Sequence, residues 1–309
     1  MWTKPWNWRE GSAICLVLTV AGLLLQLRFG PVSWSVFAWP ANIITLATLV
    51  GALVIMHLTR KRVYFFRFLS TLHAALPSIV TSLVLTMIMG LIRQDDGGQW
   101  FSNMLTFWPF VLAYVYMTII VGLTTLRRLS SIIKGLIPSK PAQPTKVRVK
   151  LNDMAFVLNH AGLFLALTCA TLGNADLRDL EMITNQGAIE WRGVDADGVL
   201  HDLPIAIELQ RFIMETYDDG SPKRFASDIR VRTKRGKDFE ATVDVNHPVE
   251  VDGWKIYQYS YDTQAGAASR ISVFELVRDP WLPYVYAGIF MMLAGALFML
   301  FGKNSRPAM

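Results

Sequence analysis

The sequence predicts a membrane protein, a six-span α-helical bundle with a β-rich extracytoplasmic domain inserted between the fifth and sixth spans. Three observations lead there. Six uncharged runs are long enough to cross a bilayer, which takes roughly 17 to 25 helical residues. One polar stretch, Ala175 to Arg278, holds nineteen of the chain's twenty-four carboxylates. Fifteen of the seventeen Lys and Arg outside that stretch gather in four places, at Lys4 and Arg9, at Arg60 to Arg67, at Arg127 to Lys150, and at Lys303 with Arg306. Basic loops remain in the cytoplasm during insertion, so both termini and the Arg127 to Lys150 loop are expected there. Residues 175–278 are then expected on the periplasmic or outer side.

Taken in order, the apolar runs are Gly11 to Leu27, Gly30 to Thr59, Phe68 to Ile92, Gly97 to Leu126, Met154 to Ala175 and Trp281 to Gly302. The second and fourth exceed what a span needs, so their ends are expected to be loop. Trp2, Trp6, Trp8, Trp34, Trp39, Trp100 and Trp281 fall near span ends and suit the aromatic belt at the headgroups. Pro77 and Pro109 are placed inside the third and fourth spans, where a kink is tolerated if neighbours satisfy the freed carbonyls. Pro138 to Pro144 has the composition of a linker. Leu27 to Pro31 offers no small-x-small cleavage site, which favours a retained anchor over a signal peptide. No Arg- and Ser-rich transit peptide precedes it, which favours a bacterial inner membrane.

The inserted domain reads as β. Ile229, Val231 and Thr233 alternate with Arg230, Arg232 and Lys234; Phe239, Ala241, Val243 and Val245 alternate with Glu240, Thr242 and Asp244. An odd loop, Arg235-Gly236-Lys237, would match the apolar faces and set Lys234 opposite Asp238 and Arg232 opposite Glu240. The parity change between Ile205, Ile207, Leu209 and Phe212, Met214 predicts a bulge near Arg211. Asp218 to Pro222 reads as a turn, and Trp254 to Tyr261 with Ser269 to Val277 as a final strand pair.

Net charge is +6, but the basic residues sit beside span ends, where orientation accounts for them, so no nucleic-acid partner is expected. The two cysteines, Cys15 and Cys169, both lie in spans, and neither C-x-x-C nor C-x-x-C-H occurs. That removes thiol exchange by this chain and its being a c-type cytochrome. No span interior holds Asp, Glu, Lys or Arg, groups that coupled transporters use as relays. Neither a Ser/His/Asp set nor a phosphate-cradling loop appears; the pattern indicates binding rather than catalysis. His57 and His73 fall near basic headgroup-level residues, His201 follows a Gly-containing turn and reads as solvated, and Asn246 and His247 are suited to bonding a turn. His160 stands apart. It lies in the fifth span beside Ala161 and Gly162, small residues that let either a flat ligand or another helix approach, and its imidazole suits a metal bond or a helix–helix hydrogen bond.

From Phe65 to Phe301 the chain resembles the ResB family, also called CcsB, of System II cytochrome c biogenesis. The resemblance rests on Arg67-Phe-Leu-Ser-Thr-Leu, Trp100-Phe101, Leu126-Arg-Arg-Leu129, Asn159-His-Ala-Gly-Leu163, Ala226-Ser-Asp, Val245-Asn-His-Pro-Val, Gly253-Trp-Lys-Ile-Tyr-Gln and Arg278-Asp-Pro280. It implies four domains: an additional N-terminal hairpin (1–63), a ResB-like region of three spans and the basic loop (64–174), the β-rich domain (175–278), and the last span with its tail (279–309). It also implies a CcsA-type haem-handling membrane partner, apocytochrome c as the protein served, and haem b as cofactor. His160 would be an axial ligand to the haem iron, its ring facing the gap beside Ala161 and Gly162. The chain would then be part of a cytochrome c synthase and not catalytic alone. A subunit that presents apocytochrome without touching haem is the alternative.

Overall fold

The computed structural model describes residues 2–94, 102–136, 151–219 and 221–302. Two compact units form, Met1–Ala175 with Trp281–Met309, and Asp176–Pro280. The expected linker at Pro138 to Pro144, Trp100-Phe101, Lys150, Lys303 and Arg306 lie outside the described residues.

The first unit holds α1 (Trp8–Phe29), α2 (Ala41–Thr59), the short α3 (Tyr64–Leu69), α4 (Leu72–Leu91), α5 (Trp108–Leu136), α6 (Leu151–Gly173) and α7 (Leu282–Gly302). Six of these, all but α3, are long and apolar enough to cross a membrane. The surplus in the second apolar run is a 3₁₀ turn, Trp34–Phe37, ahead of α2, and the described start of the fourth run contains another, Met104–Thr106. Pro109 occupies the first turn of α5 and not the interior of a span, so no kink follows; its missing N–H would have lacked a helical partner there anyway. Pro77 does lie inside α4. It leaves the His73 carbonyl without its i+4 donor, and Gly11 of α1 sits directly against that oxygen, where a Cβ would not fit. The α1 start is fixed by a capping box in which Asn7 accepts from Arg9 N–H at 2.9 Å and Glu10 accepts from Asn7 N–H at 2.8 Å.

The second unit is one antiparallel sheet of eight strands: β1 (Arg178–Asn185), β2 (Ile189–Val194), β3 (Leu200–Thr216), β4 (Pro222–Thr233), β5 (Asp238–Asp244), β6 (Val249–Val251), β7 (Trp254–Tyr261) and β8 (Ile271–Arg278). Its order is β5-β4-β3-β2-β1-β8-β7-β6. The sheet coils until β5 meets β6 and β7, making it barrel-like. Alternate residues point inward, among them Met182, Ile207, Ile229, Val243, Ile256 and Phe274, all fully buried. The bulge falls at Gln210, where the β3–β4 register shifts between Leu209 and Arg211.

The β4–β5 hairpin differs from expectation by two residues. Arg232 pairs with Asp238 and Arg230 with Glu240, so the loop is Lys234-Arg235-Gly236. Gly236 is thereby the third loop residue, at φ +86°, the left-handed position a three-residue hairpin requires. The expected Lys234–Asp238 and Arg232–Glu240 ion pairs are replaced by Arg230–Asp238 at 2.7 Å and Arg232–Glu208 at 3.2 Å. At the Asn246-His247-Pro248 turn the backbone does the bonding, from Asp244 N–H to the His247 carbonyl at 3.3 Å, while the His247 ring is exposed.

Candidate functional site

His160 lies on the tenth residue of α6, partly buried. Its Nδ1 is 2.9 Å from the carbonyl oxygen of Phe156, one turn earlier. A carbonyl only accepts, so Nδ1 carries the proton and the unshared pair of the neutral ring is left on Nε2. The Phe156 ring stacks on the imidazole with centroids 4.0 Å apart and planes within 19°. Arg128 of α5 sits over the Phe156 ring at 5.5 Å and pairs with Asp153 at the start of α6. Ring plane and tautomer of His160 are therefore both fixed by its own helix, and the helix end is tied to α5. This is the usual arrangement of a histidine that ligates a metal through one nitrogen while the other is held by a second partner.

The side of α6 marked by Gly162 is filled. A Cβ at 162 would stand 2.5 Å from the Gly288 carbonyl and one at 288 would stand 2.6 Å from the Gly162 carbonyl, so α6 and α7 touch backbone to backbone. The gap expected beside Ala161 and Gly162 is thus taken up at Gly162 by α7. His160 and Gly162 are about 200° apart around the helix at 3.6 residues per turn, so the imidazole is on another face. One turn beyond His160, Phe164 joins the cluster formed by α1, α2, α3, α4 and α5.

The other histidines have humbler surroundings. His57 Nδ1 is 3.2 Å from Arg60 Nη1, and His73 meets Trp8 edge to face at 5.0 Å. His201 is exposed, as expected of a solvated residue, and also bonds Asp195 at 2.7 Å; that bond, with the N–H of Val199, holds the Asp195 carboxyl below the usual carboxylate range. Among the described residues no three His, Cys, Asp or Glu side chains gather as a metal site. Cys15 and Cys169 are both free and buried. Sequence reasoning did not single out Phe156, Arg128 or Asp153 as partners of His160; the i−4 spacing of Phe156 was the available signal. On the barrel surface, Glu181 stands directly opposite Glu275, whose carboxyl is pushed up by burial and by the nearby Asp179 and Glu181.

Haem is tested here by the donor set. One imidazole whose Nδ1 is held by the Phe156 carbonyl, leaving Nε2 for a ligand bond, fits a single axial bond to iron, with the Arg128–Asp153 pair behind the stacked Phe156 ring. A second bond would have to come from elsewhere.

Residues 148–270 match the model of the ResB-like family, a narrower stretch than the Phe65 to Phe301 expected from motifs, and one that takes in His160 and most of the barrel. The chain is 26% identical over 109 residues to the cytochrome c biogenesis protein CcsB of Prochlorococcus marinus (strain NATL1A), covering 35% of this chain and 25% of that protein. It is 28% identical over 116 residues to the cytochrome c biogenesis protein Ccs1 of Porphyra purpurea, covering 36% and 26%. The aligned part thus spans about a quarter of the length of these relatives. Among solved structures, the cytochrome c haem lyase CcmF aligns with 96% of this chain and 46% of its own, at 12% identity and a TM-score of 0.38, a likeness too slight to carry functional weight.

Proposed function

With its ResB-like region as the premise, we propose that this chain is the ResB-type subunit of a System II cytochrome c synthase in a bacterial inner membrane, with residues 175–278 periplasmic. In that role it works with a CcsA-type partner to deliver haem b across the membrane for attachment to apocytochrome c. The observation that carries the reading is the His160 geometry: an intramembrane imidazole is costly unless its polar atoms are engaged, and here one nitrogen is engaged while the other is left as a donor. Iron supplies the acceptor for that pair when haem is bound. Phe156 and its carbonyl hold the ring; Arg128 and Asp153 hold the turn that carries Phe156.

The test is His160→Gly in the complex with the partner, read as haem copurified and as maturation of a reporter cytochrome c. Both should fall to a small fraction of wild type at near-normal protein level, and imidazole in the medium should restore part of each. His73→Gly is the control and should leave haem content unchanged. Haem retained in full by His160→Gly, with maturation lost, would overturn the ligand role and favour a subunit that only presents apocytochrome. For orientation, alkaline phosphatase fused after Gly220 should be active and fused after Lys140 inactive; the reverse would refute the topology.

A further inference from the structure

A crevice with two lobes lies between α2, α5 and α6, toward the end of α6 away from His160. One lobe, about 260 Å³, is lined by Leu105, Phe110 and Ala170, with Asn174 at the end of α6; the other, about 210 Å³, reaches Thr45, Leu49 and Leu167. They adjoin, sharing Trp34, Val111, Tyr114, Val115 and Thr171. Trp34 closes the top, its Nε1–H donating to the Leu105 carbonyl at 3.2 Å.

The wall has hydroxyls but offers almost no hydrogen-bonding capacity. Tyr114 O–H donates to the Leu167 carbonyl at 3.0 Å, Thr118 to Tyr114 at 2.9 Å, Thr168 to Phe164 at 2.7 Å and Thr171 to Leu167 at 2.9 Å. These four hydroxyls are turned back on helix carbonyls, so beyond Thr45 and Asn174 the wall presents mainly methyl groups and aromatic faces. No charged residue lines either lobe. A polar or ionic ligand would lose its hydration there without replacement, so the occupant is hydrocarbon. Because the lobes adjoin, the joined space exceeds the roughly 300 Å³ at which pockets for drug-sized molecules begin, so volume alone admits either a ring or a chain.

Length narrows the choice. On α5 the crevice runs from Trp108 to Thr118, about 15 Å at 1.5 Å per residue. That is half of the roughly 30 Å hydrocarbon core, the depth of one leaflet. Tryptophans 34 and 108 stand at its upper end, as headgroup-level residues do, and Leu105 and Val115 on its wall are exposed on the helical unit's surface, where the bilayer would surround it.

We infer that this crevice binds one acyl chain of a phospholipid drawn from the surrounding leaflet, with its headgroup beside Trp34 and Asn174. The site joins the N-terminal hairpin, which supplies Val32, Trp34, Phe37, Thr45 and Leu49, to α5 and α6. It stands independently of the haem reading, since it needs only that the helices span a membrane.

The experiment uses the full chain in vesicles containing phosphatidylethanolamine with a diazirine on one acyl chain, photolysed and mapped by mass spectrometry. Labelling should concentrate on Val111, Val115 and Thr171, several-fold above lipid-facing Phe290 and Leu293 of α7. Thr171→Phe, at a position that lines both lobes and so narrows each, should sharply reduce that excess while leaving α7 labelling unchanged. In parallel, lipid extracted from the detergent-purified chain should contain about one retained phospholipid per molecule. Labelling spread evenly over the exposed helix surfaces would overturn the inference, as would retention of an isoprenoid quinone in place of phospholipid.

Discussion

In the helical unit the closest contacts lie where side chains are missing, as at Gly162 against Gly288, whereas in the barrel they lie where large side chains alternate, as at Ile207, Ile229 and Phe274. The difference follows from the solvent. Between helices in a bilayer, lipid tails are as apolar as leucine, so burial adds little and close backbone approach decides the packing. Around the barrel water is the alternative, and each inward side chain contributes by leaving it. Substituting for a glycine should therefore be the gravest change in one unit, and truncating a core side chain the gravest in the other.

The largest effect is expected from Gly162→Leu, since the Gly288 carbonyl and the Met291 and Met292 side chains leave no room for a Cβ. Folded yield in detergent, read by size exclusion, should collapse. Gly51→Leu in α2 is the sharpening control, because nothing lies within 4 Å of a Cβ there, and its yield should match wild type. Equal losses from both would show that glycine in these helices matters for something other than approach.

Next comes Ile207→Ala in β3. Cutting a fully buried aliphatic side chain back to Ala costs about 2 to 5 kcal/mol, and amide exchange across β3 and β4 should accelerate accordingly while the helices are unaffected. Gly236→Ala should be milder, about 1 to 2 kcal/mol for an Ala forced into the left-handed region, with faster exchange confined to the β4–β5 hairpin.

The smallest change is expected on the barrel's surface. The hydrogen bond from Arg230 holds the exposed Asp238 carboxyl below its ordinary range. A lowered carboxylate contributes stability above its unfolded value near pH 4, lost as pH falls through the folded value. Arg230→Ala should shrink that acid limb, and the effect should fade with added salt.

The spans were legible because twenty uncharged residues in a row admit few readings, and the barrel strands because their period is two. The hairpin register was not: Arg230, Arg232 and Lys234 alternate on one side and Asp238 and Glu240 on the other, so a shift of two keeps both the apolar faces and plausible ion pairs, and only the left-handed need of Gly236 separates the registers. Pairings between helices were hidden as well, because the sequence around Gly162 does not say whether a helix or a ligand fills the space. His160 was visible as an isolated imidazole; its bond to Phe156 and the stack upon it depend on side-chain rotamers, which sequence does not encode directly. The Arg128–Asp153 pair joins residues of α5 and α6 that are 25 positions apart and carries no local signal.

The most direct measurement is the spectrum of haem in the purified complex when His160 is replaced by Cys. Histidine and thiolate ligands give iron distinct electronic signatures, so if His160 makes the axial bond, the haem that remains should show a shifted Soret band and altered low-temperature EPR signals. Haem retained at wild-type occupancy with an unchanged spectrum would contradict the account.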